Sequence, residues 1–277
     1  MTLRILQKAF VILTTMMFCT QAYAQTVTPV SVTVDGNKLQ AKLSVTQTIE
    51  IDLLLEFENS IGLSTSSIDI SATLVDINDA SVLSRLSSTD IAVIPSFPVI
   101  VSVTPKSDAG FSFEGLASIE IYTKAVDYNA SMPARIFRSH ANGAFEDITS
   151  MVSVGSIRSR GNTGSFSDFM ILLDERDDDD MIADKFTQLA QVLSQHSALS
   201  SVALATSLQT KLDAINNALV LINYSATLVA VENMIGLVES ANSANISTVW
   251  RSSNDLVNLQ GELLTHLKAL KYTLRVM

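Results

Sequence analysis

The sequence predicts an α+β protein in which an N-terminal antiparallel β-sandwich is followed by a C-terminal antiparallel helical bundle. Two periodicities lead to this fold class. Residues 26–173 alternate apolar and polar side chains with a period of two, as half-buried strands do, whereas apolar residues after Asp174 recur every three or four positions, as on amphipathic helices. A charged run at residues 174–180 separates the two patterns. We therefore expect a sandwich domain over residues 25–174 and a helical domain over residues 175–277.

The first 24 residues have the order of a secretory signal peptide. Arg4 and Lys8 give a positive start, residues 9–19 are apolar, and Ala22-Tyr23-Ala24 is a small-residue cleavage site. The apolar run is too short to span a bilayer as a helix. We expect cleavage after Ala24 and a secreted or periplasmic protein.

Composition narrows the classes of partner. The full chain has a net charge of −10, which becomes −12 without Arg4 and Lys8, and the expected exported chain has no cysteine. Nucleic acids and anionic lipids are disfavoured partners, because binding them requires clusters of lysine and arginine. No membrane span is expected after signal cleavage, since prolines interrupt the apolar run at residues 91–103 and polar residues interrupt the run at 214–238.

The N-terminal region divides into short predicted strands. Residues 30–34 and 39–45 flank Asp35-Gly36, a turn pair typical of a β-hairpin, and residues 49–57 alternate in the same way. A short helix is expected at residues 80–86. Further strands are predicted at residues 68–75, 97–104, 117–123, 134–138, 145–152 and 166–173. Short strands separated by glycine, proline, serine and asparagine favour a sandwich.

Four apolar stripes predict the helices. They cover residues 182–193, 204–222, 228–238 and 256–274, and their short connections favour antiparallel packing. Asp177, Asp178, Asp179 and Asp180 precede the first stripe, where the helix dipole favours negative charge. These carboxylates could instead bind calcium weakly, but they lack the spacing of an EF-hand loop. We expect a solvated linker that caps the helix.

The most distinctive segment is the glycine-containing stretch at residues 155–167, which we expect to form a loop. It carries Arg158, Arg160 and Asn162 in an otherwise acidic chain. Arginine side chains suit carboxylate or phosphate ligands, and glycines allow close approach of the backbone. This segment is therefore a candidate ligand or partner surface. The alternative is a structural role in which the two arginines pair with nearby acidic residues.

Other candidate residues have weaker signals. Trp250, the only tryptophan, could stack on a sugar ring or anchor a loop onto the core, and a lone tryptophan favours the second role. His140 is expected at an Asn142-Gly143 turn without a catalytic partner. The sequence contains no hydrolase signature, and its three histidines are too scattered to spell out a metal site. The sequence does not decide whether two carboxylates form a catalytic pair, because the distance between them in the folded protein defines such a pair.

Two resemblances concern larger segments. The chain resembles a family of uncharacterised secreted bacterial proteins that contain a domain of unknown function, and the resemblance rests on four short motifs together with Val249-Trp250-Arg251-Ser252. The four motifs are Arg135-Ile136-Phe137, Phe145-Glu146-Asp147-Ile148-Thr149, residues 155–161 and Phe166-Ser167-Asp168-Phe169. This family offers no active site to transfer. The segment Ser207-Leu208-Gln209-Thr210-Lys211-Leu212-Asp213-Ala214-Ile215 is similar to FIMAH-like helical modules of secreted proteins, which implies an accessory role.

Together these features favour an exported, non-enzymatic interaction or structural module of the bacterial envelope or exterior. The expected partner is an unknown envelope protein or a glycan, and no cofactor or metal is predicted. The alternative is a carbohydrate-active or other envelope hydrolase that uses carboxylates distant in the sequence. A cleft with two carboxylates about 5–9 Å apart would favour that alternative.

Overall fold

The computed structural model describes residues 25–277. This part of the chain is α+β, with two seven-stranded sheets and helices concentrated in the C-terminal part. All strand pairings are antiparallel. The predicted signal peptide lies outside the described residues and stays a prediction.

The two sheets interleave along the sequence. Sheet A contains, in spatial order, β1 (Gln25–Val27), β5 (Ile68–Leu74), β7 (Val99–Pro105), β13 (Asp168–Asp174), β9 (Ala134–Ser139) and β10 (Glu146–Asp147), with β6 (Ile91–Val93) paired to β13. Sheet B contains β11 (Thr149–Ser153), β12 (Gly155–Thr163), β8 (Ser112–Tyr128), β4 (Glu50–Ile61), β3 (Lys38–Ser44) and β2 (Ser31–Asp35), with β14 (Val249–Arg251) paired to β8. The helices are α1 (Ala80–Leu83), α2 (Asp178–His196), a 3₁₀ turn (Ser197–Leu199), α3 (Val202–Val220), α4 (Tyr224–Glu239) and α5 (Leu259–Val276).

Apolar residues of both sheets share one core. Leu55 and Ile119 of sheet B belong to the same buried cluster as Ile70, Val101 and Phe169 of sheet A. This arrangement follows from the period-two pattern, because alternate side chains of a strand point to the same face of its sheet. The predicted β2–β3 hairpin is confirmed, and Asp35 pairs with Lys38 across its turn.

Three local predictions were wrong. The expected loop at 155–167 begins with the nine-residue strand β12, whose buried alternate residues include Ser159 and Gly161, so no apolar alternation marks it. The strand expected at 145–152 divides into β10 and β11, which lie in different sheets. The turn after β9 is centred on Ala141 and Asn142, with φ angles of 49° and 60°, and Gly143 follows them.

The helical region contacts the strands closely. Helix α5 packs against α2 and α4 and also contacts β8, β11 and β12, while α3 packs against α4. Between α4 and α5 the chain adds β14 to sheet B, where Trp250 pairs with Phe113 of β8. Among the described helices, none combines the length and the hydrophobicity needed to cross a membrane.

Candidate functional site

Three clusters of buried charges join the helices to the sheets. In the first, Arg138 of β9 reaches Glu262 of α5, and Nη1 and Nη2 of the arginine donate to the two carboxylate oxygens at 3.0 and 2.9 Å. Nη2 also donates to Glu146 of β10 at 3.2 Å, and the Ser165 hydroxyl donates to Glu262 at 2.8 Å. Only 4% of the Arg138 side chain is exposed. Such a bidentate pair fixes both the distance and the orientation between strand and helix.

The charges of this cluster are stable at neutral pH. Burial raises the pKa of Glu262, but the charge and hydrogen bonds of Arg138 outweigh it and lower the pKa to about 2. Burial lowers the pKa of Arg138, yet Glu262 and Glu146 raise it overall. Burial also lowers the pKa of His266, which adjoins the cluster and is 2% exposed. Near neutral pH the site therefore holds an ionised Glu262 and a neutral His266.

The second cluster lies deeper and joins β9, β10, α2 and α5. Asp147 Oδ2 pairs with the ammonium group of Lys185 and accepts from Arg135 Nη1 at 3.4 Å. The same Nη1 donates to Thr273 of α5 at 3.2 Å, and the amide of Thr149 donates to the other oxygen of Asp147 at 2.8 Å.

Burial raises the pKa of Asp147, but Lys185 and Arg135 outweigh it and lower the pKa to about 2. Burial lowers the pKa of Lys185, while the charge of Asp147 opposes this shift. We treat the pair as ionised, because Asp147 keeps a lowered pKa between its two cations.

The third cluster fixes the start of α2. Arg176 donates from Nε and Nη2 to the two oxygens of Asp174, both at 2.8 Å, and from Nη1 to Asp184 of α2 at 2.8 Å. Asp174 ends β13, so this cluster also connects a strand to a helix. Together the three clusters hold α2 and α5 in one orientation against the sheets, because each ion pair needs a specific geometry.

A cleft of about 430 Å³ opens beside the first cluster, and we refer to it as the junction cleft. Its volume falls within the range of small-ligand sites, roughly 300–1,000 Å³. His140, His196 and His266, which are all the histidines of the chain, line it. Within residues 25–277, however, no three His, Cys, Asp or Glu side chains are placed to hold a metal ion.

Helix α2 supplies a polar rim to the junction cleft. Gln188, Gln191 and Gln195 recur at helical spacing and line it, together with Asn254 from the segment after β14. Gln188 donates to Asp184 at 3.2 Å, but its side-chain oxygen has no partner in the described part of the chain. Gln191 and Gln195 are exposed. The rim thus presents amide groups that can both donate and accept hydrogen bonds.

His140 and Ser167 lie near the cleft, but their geometry does not suit nucleophilic catalysis. His140 Nδ1 lies 3.0 Å from the Ser167 hydroxyl and 3.3 Å from the carbonyl oxygen of Phe166. A carbonyl can only accept, so the contact with Phe166 favours a proton on Nδ1 and leaves this nitrogen unable to take the serine proton. The neighbouring Asp168 pairs with Arg85 and Ser102 instead.

The arginines singled out by sequence lie away from the cleft. Arg158 and Arg160 project from β12 and both pair with Glu120 of β8, with Arg160 Nη2 at 2.8 Å from its carboxylate. Arg158 also lies over the ring of Tyr122, 4.8 Å from its centroid. This is the pairing with an acidic residue that the sequence left open as the alternative to a ligand surface. Their carboxylate partner is only 6% exposed, whereas the side chains of Arg158 and Arg160 are 46% and 37% exposed.

The other sequence candidates occupy separate places. Asn162, on β12, is 8% exposed. Trp250 is 5% exposed and packs in an aromatic cluster, with ring centroids 5.1 Å from Phe166 and 5.6 Å from Phe113. Its position on β14 places it in the core rather than on an exposed loop, although it borders the junction cleft. Asp178, Asp179 and Asp180 form the first turn of α2, and Asp177 precedes it.

Sequence reasoning missed the residues that build the junction cleft. Arg138 and Glu146 fall in predicted strands and Glu262 falls in a predicted leucine stripe, and no pattern in the sequence pairs them. A weak signal existed, because Arg135 and Arg138 interrupt an otherwise apolar strand and buried arginines need partners. The partner of Arg138 is 124 positions away, beyond any local pattern.

Comparison with known proteins places the chain in a family without assigning an activity. No curated protein and no solved structure matches it. A family model described as "Family of unknown function (DUF6689)" matches residues 12–277, which is nearly the whole chain. The chain therefore belongs to this family of unknown function, DUF6689.

Proposed function

We propose that this protein is an exported, non-enzymatic interaction module of the bacterial envelope or exterior, and that the junction cleft holds its partner. The observation that carries this proposal is the cleft itself. In its floor Arg138 is held by two carboxylates, and its rim presents amide side chains available for hydrogen bonding. A preformed cleft with an engaged floor suits binding, because little conformational entropy is lost when a ligand enters.

The alternative of a carbohydrate-active or other envelope hydrolase has one geometric argument in its favour. Glu146 and Glu262 both accept from Arg138 Nη2, at 3.2 and 2.9 Å, so the two accepting oxygens lie within about 6 Å. Hydrolysis of glycosides also requires a general acid with a raised pKa. The pKa of Glu262 is lowered to about 2, which opposes the role of general acid for this residue.

The finer architecture is part of the same proposal. We infer that the two sheets stack as a β-sandwich, which their shared core supports, and that α2 to α5 act as a helical bundle docked on one end of it. The FIMAH-like segment, residues 207–215 of α3, would then serve an accessory role away from the cleft. Secretion is supported by the order of charges and apolar residues at positions 1–24.

Affinity capture tests this function. The full chain is expressed from residue 1 with a C-terminal tag and recovered from the envelope fraction. Its intact mass is expected to match a chain that begins at Gln25. It is then used as bait against an envelope extract, with and without calcium. Gln191→Trp obstructs the cleft, and Gln209→Trp is the matched control on the exposed surface of α3. We expect a partner that the wild-type and control baits hold and the Gln191→Trp bait loses; equal capture by all three would refute the cleft as the binding site.

A further inference from the structure

Within residues 25–277, Arg138 is the one arginine or lysine that lines the junction cleft. Arg138 is engaged by two carboxylates, so the floor cluster carries one net negative charge. Both oxygens of Glu262 accept hydrogen bonds, but Glu146 Oε1 accepts none from the described residues, and its side chain is 35% exposed. This oxygen is therefore open to a ligand donor. An anionic ligand would meet Glu146 without a compensating cation.

Neutral polar groups surround this floor. His266 is 2% exposed and lines the cleft, and its imidazole takes part in no hydrogen bond among residues 25–277. The amides of Gln191, Gln195 and Asn254 are equally uncommitted within this range. Each of these amides offers a donor and an acceptor, and a neutral imidazole does the same. The matching ligand groups are those that also donate and accept, namely hydroxyls and amides.

Apolar residues also line the cleft. Val192, Leu256 and Val257 line it beside the buried edge of Trp250. A lining that mixes apolar and amide side chains suits a ring that carries both C–H groups and hydroxyls. Peptide recognition commonly uses a strand edge or a hydrophobic groove. Strand β10, which borders the cleft, has only two residues, so it offers little edge to an extended peptide.

We propose that the junction cleft binds a neutral glycan through its hydroxyl and acetamido groups. This inference rests on the proposed function and gives its partner a chemical class. Glu146 Oε1 accepts from a sugar hydroxyl, the amides of α2 bracket the ring, and the net negative floor disfavours carboxylated or phosphorylated sugars.

Three trisaccharides of similar size and different charge test the proposal. Isothermal titration calorimetry with the exported chain compares the neutral N-acetylglucosamine trimer, the cationic glucosamine trimer and the anionic galacturonate trimer. We expect the neutral trimer to bind and the anionic trimer to bind at least about tenfold more weakly. The floor attracts the cationic trimer, but this trimer lacks the acetamido groups that pair with the rim amides, so we expect it to bind no more tightly than the neutral one. Gln191→Trp should abolish binding of the neutral trimer, and Gln209→Trp should preserve it.

A charge-neutralising variant tests the role of the floor separately from folding. Glu146→Gln keeps an acceptor at the same position, so we expect the preference for the neutral over the anionic trimer to fall by at least about threefold, with the thermal midpoint recorded as a folding control. An unchanged preference in a folded Glu146→Gln variant, tighter binding of either charged trimer, or binding of none would overturn the assignment. If no trimer binds but envelope capture still depends on Gln191, the ligand class is wrong and the interaction function stands; if both fail, the proposed function fails too.

Discussion

The buried cluster around Asp147 predicts an asymmetric response to the loss of its charges. Asp147 is the carboxylate between two cations, Lys185 and Arg135, and it is 1% exposed. Asp147→Asn keeps an acceptor for the Thr149 amide but leaves both cations buried without a counter-charge. Lys185→Met, in contrast, leaves Asp147 paired with Arg135. The aspartate should therefore matter far more than the lysine.

The magnitudes follow from burial. Removing one partner of a buried ion pair costs about 3–5 kcal/mol, and the lowered pKa of Asp147 has the matching sign, because it means that the fold stabilises the ionised carboxylate. We expect Asp147→Asn to lower the free energy of unfolding by about 3–5 kcal/mol, or the melting temperature by roughly 6–20 °C for a chain of this size. Lys185→Met should cost about 1 kcal/mol or less, because an apolar chain replaces the buried stem.

Denaturant unfolding, followed by the fluorescence of Trp250 in the core, measures both effects. Lys124→Met is the control for loss of an exposed lysine. The double variant Asp147→Asn/Lys185→Met removes one charge of each sign, so it should be more stable than Asp147→Asn alone by about 2 kcal/mol. Equal costs for the two single variants, or a double variant no more stable than Asp147→Asn, would refute the reasoning.

Three further predictions concern pH, packing and strain. The free energy of unfolding should fall as the pH drops from about 4.5 through 2. The folded state lowers the pKa of both Glu262 and Asp147 to about 2, so these carboxylates bind protons at a higher pH in the unfolded chain than in the folded one. Acid titration followed by ellipticity measures this loss of stability. Gly164→Ala should lower the free energy of unfolding by about 1–3 kcal/mol, because a Cβ there would lie 2.5 Å from the Glu262 amide nitrogen. Gly236→Ala is the matched control, because its Cβ would meet open space, and it should raise the free energy of unfolding by about 0.5–1 kcal/mol. Thermal unfolding measures both changes. Ile222→Gly should stabilise the α3–α4 turn by about 1 kcal/mol, because a β-branched residue there has a φ of 51°; no gain in melting temperature would contradict this.

The regular elements were predictable because their signals are local. The alternation of Leu39, Ala41 and Leu43 marks β3, and the stripe through Leu208, Leu212 and Ile215 marks α3. Each pattern reports which side of an element is buried, and burial in turn follows from the period of the element. For the same reason β12 was missed, because serine and glycine occupy buried positions where the pattern expects apolar residues.

The candidate site was not predictable in the same way. Its charged residues lie in elements whose sequence gives no sign of their partners: all six residues of β9 are buried, including two arginines. A buried arginine predicts that a carboxylate is near, but the sequence offers 28 acidic residues and no rule for choosing among them. Only the packing of α5 across the sheets identifies Glu262. The contacts that define the cleft therefore depend on the last helix of the chain, which lies far in sequence from the strands that it contacts.

The choice of charges at this junction has a physical consequence for the cleft. Close-packed apolar side chains already resist displacement of α2 and α5, but the hydrophobic attraction itself is not directional. Ion pairs with fixed donor geometry penalise every register but one, even where they add little net stability. The bidentate contact between Arg138 and Glu262 therefore sets the distance between β9 and α5, and with it the position of the floor of the cleft relative to the glutamines of α2. A cleft whose walls come from a strand and two helices keeps its shape only under such a constraint, because a displacement of one helix by a single residue would move the rim away from the floor.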